Sequence, residues 1–218
     1  MHRQAGQAGR QEDVNHGSGQ LVVAYHGCDR STEDALVTGQ LLALQPSDNP
    51  YDWLGPGVYF FQDDWRRALM FAQASADQPH RKFTQRPIHD PSVVGAVLKL
   101  TATLDVSTQD GIGAFRTAYE ALKLSGVRLK QNRKSASQDT DVILRGLDRQ
   151  VFKYLHQMYT DQGLPAPDAI RGAFPQGEAV APTSAIFANS HVQIALLNPG
   201  CVLGYFRVPE LARARAGL

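Results

Sequence analysis

The sequence predicts an α+β fold with a split, mostly antiparallel sheet and helices flanking it. Two observations lead to this prediction. Short β-branched and aromatic runs and helical patterns follow one another in the order strand, helix, strand, helix, strands, helices, strands. The connections are long and irregular, whereas a doubly wound parallel sheet requires strict alternation of strands and helices.

The first half of the chain contains the better-defined strands. An apolar, β-branched run predicts a buried strand at 20–25, and acids after Ser31 or Thr32 predict a helix that Gly39 ends. The remaining predictions of this half are a polar loop at 45–53, a strand at 58–61, a helix capped by Asp63 or Asp64, an exposed proline-containing loop at 77–92 and a strand at 93–100.

The second half is predicted from helical periodicity and turn residues. Residues 103–106 continue or bend from the preceding strand, and apolar spacing predicts helices at 115–124 and 148–161. The remaining predictions are strands at 169–174, 192–197 and 201–208, with a loop at 175–190. Asn198-Pro199-Gly200 predicts a hairpin between the last two strands.

Composition fits one soluble domain. The chain has 218 residues, of which 43% are hydrophobic and 20% charged. Residues 1–19 contain almost no apolar side chain and predict a disordered tail, so 20–218 is the expected domain. The formal net charge of +1 does not indicate any particular class of partner. Two distant cysteines, no secretory signal and no long apolar run favour a cytoplasmic protein without a membrane span, and no metal-ligand spacing is present.

Two short motifs carry the functional information. Tyr25-His26-Gly27 ends the first strand, where a glycine allows a ligand to approach the backbone closely. Gly55-Pro56-Gly57-Val58-Tyr59-Phe60 repeats this arrangement before the second strand. Neither has the lysine and hydroxyl of a phosphate loop or the spacing of a dinucleotide fingerprint, which disfavours those nucleotide sites. Each motif alone also has an ordinary structural interpretation, as a satisfied histidine or a core tyrosine.

Taken together, residues 21–76 resemble the ADP-ribosyltransferase superfamily, in the branch with a His–Tyr–acid triad that includes diphtheria toxin and the poly(ADP-ribose) polymerases. A looser likeness covers 169–208. The segment Asn49-Pro50-Tyr51-Asp52-Trp53-Leu54-Gly55 is similar to a bacterial toxin-like or phage-defence-like subgroup. The resemblance implies an NAD-dependent glycosyltransferase that releases nicotinamide and passes ADP-ribose to a protein or nucleic acid. It also implies an antitoxin or immunity protein as a partner.

The resemblance also implies roles for single residues. His26 is expected to bind the adenosine-side ribose, the Gly27 backbone the nicotinamide amide, and Tyr59 the nicotinamide ring by stacking. Tyr25 or Phe60 is expected to support the pocket, and Gly57 and His191 are expected to contact NAD. Asn49 and Asp52, next to the second strand, are expected to shape the mouth of the pocket, and Arg171 to pair with the NAD phosphates. Each of these residues also has an ordinary structural interpretation. Asn49 and Asp52 could cap the loop, and Arg171 could be a surface residue. A Cys28–His26 nucleophile pair is a further alternative.

The third member of the triad departs from the family pattern. The strand His191-Val192-Gln193-Ile194 offers Gln193 at the position of the glutamate and His191 two residues before it. Glu178, in the preceding loop, is the candidate carboxylate, although it also reads as a solvated loop residue. This matters because cleavage of a glycosidic bond passes through an oxocarbenium-like state that a carboxylate stabilises.

Two questions therefore remain open at the level of sequence. The chain is either an active mono-ADP-ribosyltransferase or a catalytically weak module that binds NAD or ADP-ribose. A third alternative, the related RNA 2′-phosphotransferases, requires more basic residues converging on the pocket. The segment 123–134 carries five cations and no acid, so it is either a solvated loop or a docking site for nucleic acid or another anion.

Overall fold

The computed structural model describes residues 19–79, 84, 86–135 and 141–209. The predicted tail at 1–19 therefore lies almost wholly outside the described residues. The described strands are β1 Gln20–Asp29, β2 Val58–Gln62, β3 Pro91–Leu100, β4 Thr103–Asp105, β5 Asn132–Arg133, β6 Leu144–Arg145, β7 Ala169–Phe174, β8 His191–Leu196 and β9 Val202–Arg207. The helices are α1 Arg30–Val37, α2 Trp65–Asp77, α3 Gln109–Leu124 and α4 Gly146–Asp161.

Seven of the strands form one sheet in the order β4-β7-β8-β2-β1-β3-β9. The β4–β7 pair is parallel and the other pairs of this sheet are antiparallel. The predicted α+β fold with a mostly antiparallel sheet is confirmed. Within the described residues, no helix is long and apolar enough to cross a membrane.

The sheet is weakly joined at its centre. β1 pairs with β3 over ten positions, from Gln20 to Asp29, but with β2 only at Ala24 and Tyr25. β2 pairs on its other side with β8, from Val58 to Phe61. Beyond Tyr25 the two halves of the sheet separate, and the end of β1 faces an opening.

Helices pack on both faces of this split sheet. Leu36 of α1 joins the core built on Val22, Ala24 and Phe60, while Ala68 and Leu69 of α2 pack with Phe61 and Val93. α3 and α4 pack together through a core that includes Ala118, Leu122, Val151 and Leu155. Alternate strand residues therefore enter two separate cores, as the two-residue period of a strand requires.

The predicted hairpin between the last two strands is wrong. β8 lies between β7 and β2, whereas β9 pairs with β3 at the opposite edge of the sheet. Asn198-Pro199-Gly200 does reverse the chain, as a short 3₁₀ turn in which the Asn198 side chain accepts the Gly200 N–H and donates to Asp168. Turn residues specify a local change of direction, but which strands pair depends on the free edges of the sheet.

Other differences from the predicted elements concern two helix caps and two strand pairs. α1 is capped by Asp29, whose side chain accepts the Ser31 N–H, and not by Ser31 or Thr32. α2 begins after Asp64, which was one of the two predicted caps. β4 does not extend β3 but crosses to pair with β7, and the β5–β6 hairpin was not predicted.

Candidate active site

A cavity of about 290 Å³ opens where β1 and β2 separate. Seven of the residues expected from the sequence line it: His26, Gly27, Asn49, Asp52, Gly57, Tyr59 and Gln193. They come from the end of β1, the 45–57 loop, the start of β2 and the middle of β8. Residues more than 160 positions apart in sequence thus share one cavity.

His26 presents one ring nitrogen to this cavity. Its Nδ1 lies 2.8 Å from the carbonyl oxygen of Tyr59. Because a carbonyl only accepts, Nδ1 carries the proton. Burial lowers the pKa of His26, so the ring is neutral near pH 7 and Nε2 has a free lone pair. This nitrogen is therefore a hydrogen-bond acceptor, as binding of a ribose hydroxyl requires.

Phe60 supports this histidine from the core side. Its ring meets the His26 ring edge-on with centroids 5.9 Å apart, and it is fully buried. It does not line the cavity. Tyr25 also lies outside the lining, because it projects to the other face of β1 and packs edge-on against Phe206 at 6.0 Å. The predicted supporting role thus fits Phe60 better than Tyr25.

Tyr59 fastens the loop that forms one wall. Its hydroxyl donates to the carbonyl oxygen of Gly55 at 2.8 Å and accepts the Leu54 N–H at 2.9 Å. Burial raises the pKa of Tyr59 well above its ordinary value, so the phenol stays protonated and does not act as a base. The ring is fixed at both ends, by its strand and by these two bonds, while it lines the cavity.

Gly27 is required by helix packing as much as by a ligand. A Cβ at this position would lie 2.2 Å from the carbonyl oxygen of Ala68 on α2. The helix therefore rests directly on the strand backbone, which holds Phe71 of α2 in the cavity lining. This contact gives Gly27 a packing role, and the expected close approach of a ligand to its backbone stays a prediction.

Gln193 reaches the cavity with its amide oriented. Its Oε1 accepts the indole N–H of Trp53 at 2.6 Å. An amide held in this way keeps its NH₂ group available as a donor. It supplies neither negative charge nor a basic group, so it orients a ligand hydroxyl without taking its proton.

The predicted loop carboxylate lies elsewhere. Glu178 is exposed, its main-chain carbonyl accepts the Ala188 N–H at 2.8 Å, and it is not among the residues that line the cavity. The carboxylates that do line it, among the described residues, are Asp29 and Asp52.

The pKa values of these two carboxylates are shifted in opposite directions. The Asp29 side chain accepts the N–H groups of Asp90, Ser31 and His89. The hydrogen bond from Asp90, first among these, holds its pKa well below the usual range. Asp52 is only 5% exposed and accepts the Asn49 N–H at 2.5 Å, but burial raises its pKa. Asp52 is the more basic of the two.

Arg171 and His191 are placed outside the cavity. The Arg171 guanidinium is paired with Asp105 and donates to Gln62, so its charge is already balanced. His191 is buried between the rings of Phe61 and Phe174, with centroids 4.9 and 5.5 Å away. Their predicted contacts with NAD are not supported by this placement.

The sequence missed part of the lining. Thr84, Arg86, Pro87 and Ile88 come from the segment predicted as an exposed loop, and Leu41 and Leu44 precede the polar loop. Ile88 is 7% exposed and Arg86 is exposed. A single isoleucine between prolines gives no periodic signal, so this wall was not predictable from pattern alone.

A cysteine nucleophile is disfavoured although Cys28 lines the cavity. Burial raises the pKa of the Cys28 thiol to about 12, with Glu33 and Asp29 adding to the shift. Thiolate is the reactive form, and a thiol with this pKa remains protonated near neutral pH. Among the described residues, no group of three or more potential ligands that could hold a metal ion is present.

No family model, curated protein or solved structure matches this chain.

Proposed function

We propose that the protein is an NAD-dependent mono-ADP-ribosyltransferase. The observation that carries the proposal is the convergence of His26, Gly27, Tyr59 and Gln193 on one cavity. These are the positions that the resemblance selected from sequence. A cavity of about 290 Å³ is close to the lower end of the usual range of ligand pockets, about 300–1,000 Å³.

The chemistry proposed for this cavity is substitution at the nicotinamide ribose. The bond between C1′ and the pyridinium nitrogen breaks, and its electron pair neutralises the nitrogen as nicotinamide leaves. A nucleophilic oxygen or nitrogen of the acceptor forms the new bond to C1′ and loses its proton. The products are nicotinamide, the ADP-ribosylated acceptor and a proton.

Each cavity residue then has a defined task. His26 Nε2 accepts a hydrogen bond from a ribose hydroxyl, and the Tyr59 ring stacks on nicotinamide, a contact worth about 1–2 kcal/mol. The Gln193 amide orients the nicotinamide ribose. Asp52 takes the electrostatic task for which Glu178 was the sequence candidate, because it is a carboxylate that lines the cavity, whereas Glu178 does not.

A second function is favoured by one observation. Glutamine occupies the expected glutamate position and is already bonded to Trp53, so the cavity has weaker means of stabilising a cation than the triad enzymes. The alternative is a module that binds NAD or ADP-ribose and turns over slowly. A bacterial toxin or defence role, with an immunity protein as partner, rests on the sequence resemblance alone.

Release of labelled nicotinamide from NAD, with and without cell extract, separates these functions. We expect release and label transfer by the wild type, and a loss of at least tenfold in Asp52→Asn and Tyr59→Ala. Glu178→Gln, exposed and outside the lining, is the control and should keep wild-type rates. Binding of NAD without release favours the module, and a loss in Glu178→Gln alone contradicts the role of Asp52.

A further inference from the structure

The basic segment 123–134 is fixed in place and presents its charges outward. Arg128, Lys130, Arg133 and Lys134 are all exposed. Within the described part of the chain, none of these four is in an ion pair, whereas Lys123 is 3.9 Å from Glu120. Four cations without a described counterion form a strip that attracts anions.

The backbone beneath this strip is held by α4. The Lys130 N–H donates to the Gln150 side chain at 2.8 Å, and the Gln150 amide donates back to the Arg128 carbonyl at 3.2 Å. The Asn132 side chain bonds to Asp148 and accepts the Leu147 N–H. Leu129 packs into the α3–α4 core. The strip therefore does not have to be ordered when a ligand binds, which lowers the entropic cost of binding.

The β5–β6 hairpin leads from this strip toward the cavity. Asn132 pairs with Arg145, and Arg133 pairs with Leu144. The Arg145 guanidinium lies over the rings of Phe174 and Trp53, at 4.2 and 4.8 Å from their centroids. Trp53 in turn donates to Gln193, which lines the cavity. A continuous set of contacts thus runs from the basic strip to the proposed reacting end of the site.

We propose that the strip Arg128, Lys130, Arg133 and Lys134 docks the phosphate backbone of a nucleic acid and presents it to the cavity as the acceptor. The docking itself is independent of the proposed function, and only the acceptor role rests on it. The partner recognised is a polyanion with regularly spaced charges, for which lysine and arginine contacts supply sequence-independent affinity.

The composition of the strip favours nucleic acid over an acidic protein. Protein interfaces are depleted in lysine and use aromatic anchors at their centre. The segment 123–134 contains two arginines, three lysines and no aromatic residue. Binding should therefore depend on charge and salt and show little dependence on base sequence.

Fluorescence anisotropy with labelled single-stranded and duplex oligonucleotides tests the docking. The test variant is Arg133→Gln/Lys134→Gln, and the control is Lys99→Gln/Arg116→Gln, which removes the same charge from exposed positions on β3 and α3. Removal of two phosphate contacts should weaken binding roughly tenfold or more in low salt. It should also reduce the slope of log K against log salt by about 1.8 for duplex or about 1.4 for single strands.

The acceptor role is measured with labelled NAD on the same wild-type, test and control proteins. Label should appear on nuclease-sensitive material, and the amount of label should fall in the test variant. The rate of nicotinamide release with water as the acceptor should stay at the wild-type value. The docking proposal is overturned if the wild type does not bind either oligonucleotide, or if the control weakens binding as much as the test variant. Label found only on protease-sensitive material overturns the acceptor role. If NAD is not cleaved at all, the proposed function fails, and the anisotropy result still decides the docking.

Discussion

Replacement of Gly27 by alanine should destabilise the protein by driving α2 away from β1. The added Cβ would lie 2.2 Å from the Ala68 carbonyl oxygen, whereas ordinary contacts begin near 3.4 Å. The obstacle is helix backbone, so α2 has to move by roughly 1 Å. Overpacking of this kind costs typically about 1–3 kcal/mol. For a domain of this length, 1 kcal/mol corresponds to a Tm change of about 2–4 °C.

The matched control is Gly113→Ala in α3. A Cβ there meets nothing within 4 Å, and alanine is favoured over glycine inside a helix by about 0.5–1 kcal/mol. Urea or thermal unfolding followed by circular dichroism should therefore give opposite signs for the two variants. Equal or higher stability of Gly27→Ala would refute the proposed direct seating of α2 on the strand.

Three further predictions concern single side chains. Burial lowers the pKa of His191 to about 4. In the unfolded chain this histidine has a pKa near 6.5, so between these two values the unfolded chain binds a proton that the folded protein does not. Stability should fall by about 3 kcal/mol as pH drops from 7 to 4, and urea unfolding of His191→Phe should lack this component. Iodoacetamide should label Cys28 at pH 8 much more slowly than a free thiol, because its pKa is raised to about 12; labelling at the free-thiol rate, read by mass spectrometry, would contradict the burial. Tyr59→Phe should lower the unfolding free energy by about 1–3 kcal/mol, because the Leu54 N–H and Gly55 carbonyl lose their partner, and an unchanged urea midpoint would contradict this.

The predictable part of the fold was the part with strong local signals. The strand that contains Tyr25-His26-Gly27 and the strand that follows Gly57 were located from apolar runs and glycines, and the structure brings both to one cavity. The pairing of β8 and β9 was not predictable from Asn198-Pro199-Gly200, because which strands pair depends on edges that are distant in sequence.

In the candidate site, too, local sequence signals were predictable and contacts between distant residues were not. His26, Tyr59 and Gln193 were identified as residues with chemistry at motif positions. Arg171 was expected to contact the NAD phosphates, and the pairing of its guanidinium with Asp105, 66 residues away, could not be read from the sequence. Asp52 was expected at the mouth of the pocket but not as its carboxylate, since its burial and raised pKa depend on tertiary packing around the 45–57 loop. Sequence patterns indicate which residues are capable of chemistry, but packing decides which of them share a cavity.

The most direct test of the account is calorimetric titration of the protein with NAD. The wild type should bind NAD, and His26→Ala should weaken binding about tenfold, as expected for loss of one hydrogen bond worth about 1.4 kcal/mol. His89→Ala, an exposed histidine outside the cavity lining, should bind like the wild type. Absence of binding at millimolar NAD, or equal affinity of wild type and His26→Ala, would contradict the claim that this cavity is an NAD site.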